Sequence, residues 1–220
     1  MANSSGIENN KIAEVSMRII TISREFGSGG RELGKRLAEE LGFDYYDREI
    51  ISAISQNQGL DEKYVENTLE NQGWRNIPIA YRQSFTSYLS INNSKINILV
   101  EQKKVIEKIA SLNKDFVIVG QNADIILSEY KPFNIFVCAS MESKIKRCEE
   151  RANENEKLTK KEIEKNIKRI DKNRSKNREI VTNKIWGDRE SYHLIINTTN
   201  WEIKKLVPVV KYYVINYWGQ

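Results

Sequence analysis

Between Arg24 and Glu32 the chain reads R-E-F-G-S-G-G-R-E, three glycines and a serine set in a frame of arginines and glutamates. Glycines at this density let successive backbone N–H groups converge on an anion, and a helix starting there adds its own unpaired N–H groups. The chemistry such a stretch suits is phosphate binding. A standard phosphate loop reads G-x-x-x-x-G-K-[ST], its lysine reaching the β- and γ-phosphates and its hydroxyl holding Mg2+. With Gly29 as the second glycine, the first falls on Arg24, the lysine on Gly30 and the Ser/Thr on Arg31.

Two readings of this stretch stay open. It is a glycine turn that only starts a helix, or a phosphate site rebuilt around arginine, which grips phosphate oxygens bidentately where lysine offers a point charge. On the second reading Arg24, Gly27, Ser28, Gly29, Gly30, Arg31 and Glu32 line the phosphates, and Arg31 is a catalytic candidate. Loss of the hydroxyl leaves Mg2+ to phosphates, water or a carboxylate such as Glu25 or Glu32.

Such a loop works only if a strand ends where it begins. Arg18–Ser23 (RIITIS) is a β-branched run that predicts a buried strand, and Arg31–Gly42 predicts a helix with Leu33, Leu37 and Leu41 on one stripe. A short strand over 43–47 and a helix over 48–56 follow. Residues 57–112 show no strand pattern; Asp61 suits an N-cap, and 94–112 carries Ile98, Val105 and Ile109 along one helical face. Further strands are predicted over 115–120, 133–139 and 192–197. Charged helices are predicted over 141–152 and 160–178, the second with Ile163, Ile167 and Ile170 as its apolar seam. A closing helix spans 201–218, and Pro208 is expected to kink or break it. Strands alternating with helices, the strands almost wholly apolar, predict an α/β class with a mostly parallel sheet covered on both faces. Ligands collect at the carboxyl ends of such strands, which points again to the loop at Arg24–Gly30.

The bulk of the chain agrees with one substantial domain. Of 220 residues, 40% are hydrophobic and 30% charged, a balance that excludes disordered and membrane-embedded classes. Residues 1–16 are polar, without the apolar centre of a signal peptide, and read as a flexible extension with Met17 as a second start. No run approaches about 18 apolar residues, so no membrane span is expected. Cys138 and Cys148 have no Cys-x-x-Cys spacing and His193 has no partner histidine, so no metal site is expected and a reducing cytoplasm is the expected location. The net charge of +5 suits phosphate-bearing partners.

The stretch ITISREFGSGGRELGKRLAEELGFDYYDREII resembles the opening of the cytidylate kinase-like family, a divergent branch of the P-loop nucleoside monophosphate kinases, with its lysine-less S-R-E-[YF]-G-S-G-G-R loop. FVIVGQNAD, DKNRSKN and KIWGDRESYHLIINTT match that family in order, so the resemblance runs from Arg18 to about Lys211. It implies a three-layer P-loop kinase fold: five parallel strands, helices on both faces, a helical monophosphate-binding insert over about 48–112 and a lid over about 147–178, within one domain at 17–220. It also implies ATP and Mg2+ as cofactors and a pyrimidine monophosphate as acceptor.

Residue by residue, the resemblance makes Asp47 and Arg48 candidates in the monophosphate region. Gln121 and Asn122 stand where the family's relatives have an arginine for phosphate and an aspartate for cytosine. Asp171 is placed on sugar or base, and Arg174 on the monophosphate. Arg147 and Arg151, four apart on one helix, are candidate lid arginines that close over the transferred phosphate, although a solvated basic face interleaved with Glu149 and Glu150 has the same pattern. Thr198 falls near the adenine. Two other functions compete: a nucleotide-binding pseudokinase that no longer transfers phosphate, and a nucleic-acid binder using the basic stretch 157–178. Glu162, Glu164 and Asp171 interrupt that stretch and no aromatic residue interleaves it, which disfavours the latter. The aromatic end, Tyr212–Trp218, is read as core or as a contact in a homodimer.

Overall fold

The computed structural model describes residues 17–47, 49–62, 86–152 and 158–219. Its centre is strand β1 (Ile19–Arg24), buried along its whole length. β-Branched residues on alternate faces give it two apolar surfaces, so it must be covered from both sides. Around it lie β2 (Asp44–Tyr46), β3 (Phe116–Val119), β4 (Phe133–Cys138) and β5 (Leu194–Asn197), in the spatial order β2-β3-β1-β4-β5. Every pairing is parallel. Ile22 of β1 sits beside Val119 on one side and Ile135 on the other, so the carboxyl ends of β1 and β3 come out together.

Two cores follow from the alternation. Ile20 and Ile22 pack with Val117 and Val119 under α1 (Gly30–Leu41) and the closing helix, with Leu33 and Leu37 from the first and Ile203, Val207 and Val214 from the second. Ile19, Phe116 and Ile118 face the other way, onto Ile50 and Ile54 of α2 (Glu49–Gln58) and Ile98 and Ile106 of α3 (Thr86–Ala110). The short α4 (Ala123–Ile126) seals that layer through Ala123. Helix, sheet and helix thus form the three layers expected.

Two long charged helices come next. α5 (Met141–Arg151) is capped by the Ser140 hydroxyl, which accepts from the Ser143 N–H. α6 (Lys160–Val181) opens with a capping box: Thr159 accepts from the Glu162 N–H while Glu162 accepts from the Thr159 N–H. The last element, α7 (Ile203–Trp218), runs through Pro208, so of the two expectations there the break does not occur. Interior proline costs a helix about 3 kcal/mol, but Leu206, Val207, Val210 and Val214 bury the flanking turns against α1 and the sheet, and that burial outweighs the lost bond.

His193 has a structural place: it accepts from the Asn134 N–H at 2.9 Å and its ring stacks on Phe133. Both cysteines are free thiols. No helix among the described residues is long and apolar enough to cross a membrane. Arg48, residues 1–16, most of the stretch from Asp61 to Gln72 and part of the expected insert lie outside the described residues.

Candidate active site

β1 ends at Arg24 and α1 begins at Gly30, so the loop between them lies at the carboxyl edge of the central strand. Gly29 caps α1 in the left-handed conformation at φ +86°, a position open to glycine at no steric cost. It has no side chain to accept from the first turn of the helix, whose N–H groups are thereby offered to an anion. The loop is held from below. The Thr198 hydroxyl, wholly buried, donates to the Ser28 carbonyl at 2.6 Å, and the Ser28 hydroxyl donates to the Glu25 carbonyl at 2.8 Å.

Arginines approach the loop from three directions. Arg24 is buried and its guanidinium lies 3.7 Å from Asp47, just past β2. Arg31, on the first turn of α1, pairs with the same carboxylate. Asp47 is itself buried, so this acid binds the two loop arginines together and neutralises part of their charge. Arg174 comes from α6: its Nη1 donates to the Arg24 carbonyl at 3.0 Å and its guanidinium stands over the Phe26 ring.

α5 and α6 close over the other side of the loop through a second ionic cluster. Lys144, almost fully buried, reaches the Glu25 carboxylate at 3.1 Å and Asp171 at 3.4 Å. Asp171 also accepts from the Phe26 backbone N–H at 2.7 Å. Burial pushes the Asp171 carboxyl above its ordinary range; the Phe26 N–H, Arg174 and Lys144 pull the other way. Arg147 donates to the carbonyls of Thr198 and Trp201 and approaches the Gly27 carbonyl at 3.5 Å; burial lowers its pKa. Arg151 is half exposed and pairs with Glu32, which also takes Arg36. Glu32 therefore belongs to a surface network.

Beside the loop, at the ends of β1 and β3, is a cleft of about 450 Å3 including its open mouth. Ser23, Arg24, Gly120, Gln121, Asn122, Leu99, Gln102, Arg174, Asn177 and Trp186 line it. Its floor is a strained turn: Gly120, Gln121 and Asn122 have φ of +79°, +65° and +53° in succession. Left-handed backbone at a glutamine costs energy and persists only where the surroundings enforce it, as at functional sites. Here the Gln102 side-chain Nε2 donates to the side-chain Oε1 of Gln121 across the cleft wall. Behind the floor, Arg178 and Asp124 form a fully buried pair at 2.8 Å.

A family model described as the cytidylate kinase-like family matches residues 19–200. The chain belongs to the cytidylate kinase-like family. Comparison with curated proteins returns no match. Among solved structures, an uncharacterized protein from Eubacterium ventriosum ATCC 27560 is similar at 24% identity and a TM-score of 0.63, covering 90% of this chain and 98% of that one. A shikimate kinase from Bacteroides thetaiotaomicron is similar at 11% identity and 0.52, covering 90% and 98%. Another from Acinetobacter baumannii, in complex with shikimate, gives 13% and 0.50, covering 92% and 95%. At these identities the likeness is one of fold: the α/β architecture of P-loop kinases.

Within this cytidylate kinase-like fold, the structure brings Arg24, Arg31 and Asp47 into one cluster and joins Asp171 and Arg174 to the loop. Gln121 and Asn122 reach the cleft, whereas Thr198 lies under the loop and Arg151 lies on the surface. Sequence reasoning missed Lys144, Gln102, Asn177 and Trp186. A signal for Lys144 existed: it shares one face of α5 with Arg147 and Arg151, three and seven residues on.

Proposed function

We propose that this protein is a kinase that moves the γ-phosphoryl group of ATP·Mg2+ to a pyrimidine monophosphate held in the cleft beside the loop. The observation that carries this reading is the place of Arg24: a buried cation at the junction of the glycine loop and the cleft, lining both. The triphosphate rests on the N–H groups from Gly27 to Glu32, with Arg31 and Arg147 at its flanks. The acceptor phosphate faces Arg174, and Arg48 is the further candidate on that side. Gln121 and Asn122 read the base as neutral amides, the Asn122 carbonyl oxygen accepting from an exocyclic amine. α5 and α6 serve as the lid, carrying Arg147 and Arg151. α2 and α3 belong to the acceptor-side insert, and the Thr198 turn lies toward the adenine.

Phosphoryl transfer asks for in-line positioning and neutralisation of charge on the equatorial oxygens, with little covalent work by the protein. The arrangement offers both. Mg2+ comes with its substrate, since Arg31 stands where a standard loop has its hydroxyl ligand, and phosphates, water or a carboxylate such as Glu25 or Glu32 complete its shell. Asp171 and Asp47 act as positioning residues, one on the loop backbone and one on its arginines. Free thiols at Cys138 and Cys148 suit work in a reducing cytoplasm.

A second reading, nucleotide binding without transfer, is favoured by one observation: Arg31 and Lys144 are engaged with carboxylates of the chain itself. Labelled ATP·Mg2+ offered with CMP, dCMP, UMP, AMP and GMP separates the two. Labelled pyrimidine diphosphate is the expected product. ATP binding with no labelled product from any acceptor would move the assignment to a regulatory nucleotide-binding protein.

A further inference from the structure

At position 30 of this chain, where a phosphate loop carries its lysine, glycine has no conformational reason to stand: its φ is not among the positive ones. The reason is space. A Cβ on Gly30 would lie 2.6 Å from the Arg24 Cβ, 3.2 Å from its Cγ and 3.2 Å from the Val137 Cβ. The Arg24 stem thus fills the volume into which a side chain at position 30 would have to leave the helix. At its far end the guanidinium lies over Gly120, where a Cβ would fall 1.6 Å from Nη1. Arg24 in turn occupies the position of the standard loop's first glycine.

We infer that Arg24 and Gly30 are a reciprocal exchange: the loop's phosphate cation has moved from the first residue of the helix to the last residue of the strand. The side chain from position 24 enters the same space from the opposite side and brings its charge to the same boundary between loop and cleft. The missing lysine and the unusual arginine are then one change. A lysine at position 30 is incompatible with Arg24, and a glycine at position 24 would leave the site without its central cation. The charge half of this inference rests on the triphosphate reading of the loop; the steric half does not.

Two measurements test it on the full chain. The first is a stability cycle without ligand, comparing Gly30→Ala in the wild type and in an Arg24→Gly background. The wild type is expected to lose several degrees of unfolding midpoint or to fail to fold, while the Arg24→Gly protein tolerates or gains from the same change, since alanine favours a helix over glycine. Equal losses in both backgrounds would overturn the steric half. The second is equilibrium titration with ATP·Mg2+. Arg24→Gly is expected to weaken binding at least tenfold, and the double variant R24G/G30K, which restores the spacing of the standard loop, to recover most of that loss. A double variant no tighter than Arg24→Gly would overturn the charge half. Absence of ATP binding by the folded wild type would instead overturn the triphosphate reading, and the charge half with it.

Discussion

Asp171 accepts the backbone N–H of Phe26 at 2.7 Å, fastening α6 to a loop 145 residues earlier in the chain. The bond fixes one peptide of the glycine loop, so its strength is coupled to the charge on the carboxylate. Burial outweighs the nearby cations and raises the Asp171 pKa. A folded-state value above the unfolded one means the folded chain holds this proton more tightly. The contribution is fully present below the unfolded pKa and is lost as pH rises through the folded one. Urea unfolding of wild type and Asp171→Asn across that acidic window should show the wild-type advantage shrinking as pH rises, then levelling. A constant difference across the window would contradict the assignment.

Lys144 neutralises two carboxylates from the inside of the α5–α6 pair. Lys144→Met keeps the stem and removes the charge, leaving Glu25 and Asp171 facing each other. Removing one partner from a buried ionic cluster costs about 3–5 kcal/mol, and the partial exposure of Glu25 lowers the expectation to about 2 kcal/mol. Urea unfolding at neutral pH checks this, and a loss below about 0.5 kcal/mol would count against the cluster.

The Arg178–Asp124 pair is wholly buried, and Arg178 Nε and Nη2 with Asp124 Oδ1 make no hydrogen bond among the described residues. Such a pair is expensive to break and of little net worth intact. Arg178→Met alone should cost about 3–5 kcal/mol by stranding Asp124, and R178M combined with D124L should recover most of it. Additive losses in a double-mutant cycle would show that the two side chains do not act together.

Gly120→Ala tests where Arg24 ends. The new Cβ meets the guanidinium at a residue with φ +79°, so strain and displacement add. A loss of about 1–3 kcal/mol with weaker ATP binding is expected. Gly42→Ala is the matched control: φ is +70° and nothing lies within 4 Å of its Cβ, so it should cost strain alone and leave ATP binding unchanged.

The apolar run before Arg24, the glycines after it and the leucine stripe at Leu33 and Leu37 were legible because strand, turn and helix each leave a short-range pattern. The covering of both faces of a parallel sheet followed from strands too apolar to face water, whereas the order β2-β3-β1-β4-β5 rests on pairings between strands distant in the chain that leave no mark in any one of them. Pro208 does not end its helix because Val207 and Val210 beside it are buried, a tertiary contribution that local propensity does not carry. Lys144 is hard to single out because, in a helix of lysines and glutamates, a buried lysine looks like its solvated neighbours, and only its place on the face of Arg147 and Arg151 sets it apart. Asp47 holding both Arg24 and Arg31 depends on where β2 emerges relative to the loop, a relation across the sheet that leaves no mark in spacing.

On the proposed function the glycine loop binds a nucleoside triphosphate with Arg24 as its cation. An equilibrium titration of ATP·Mg2+ into the wild type and into Arg24→Gln, side by side and at one salt concentration, tests it most directly. Saturable binding by the wild type, weakened at least tenfold in the variant, is the predicted result. Equal affinity in the two proteins, with both shown to be folded, would contradict it.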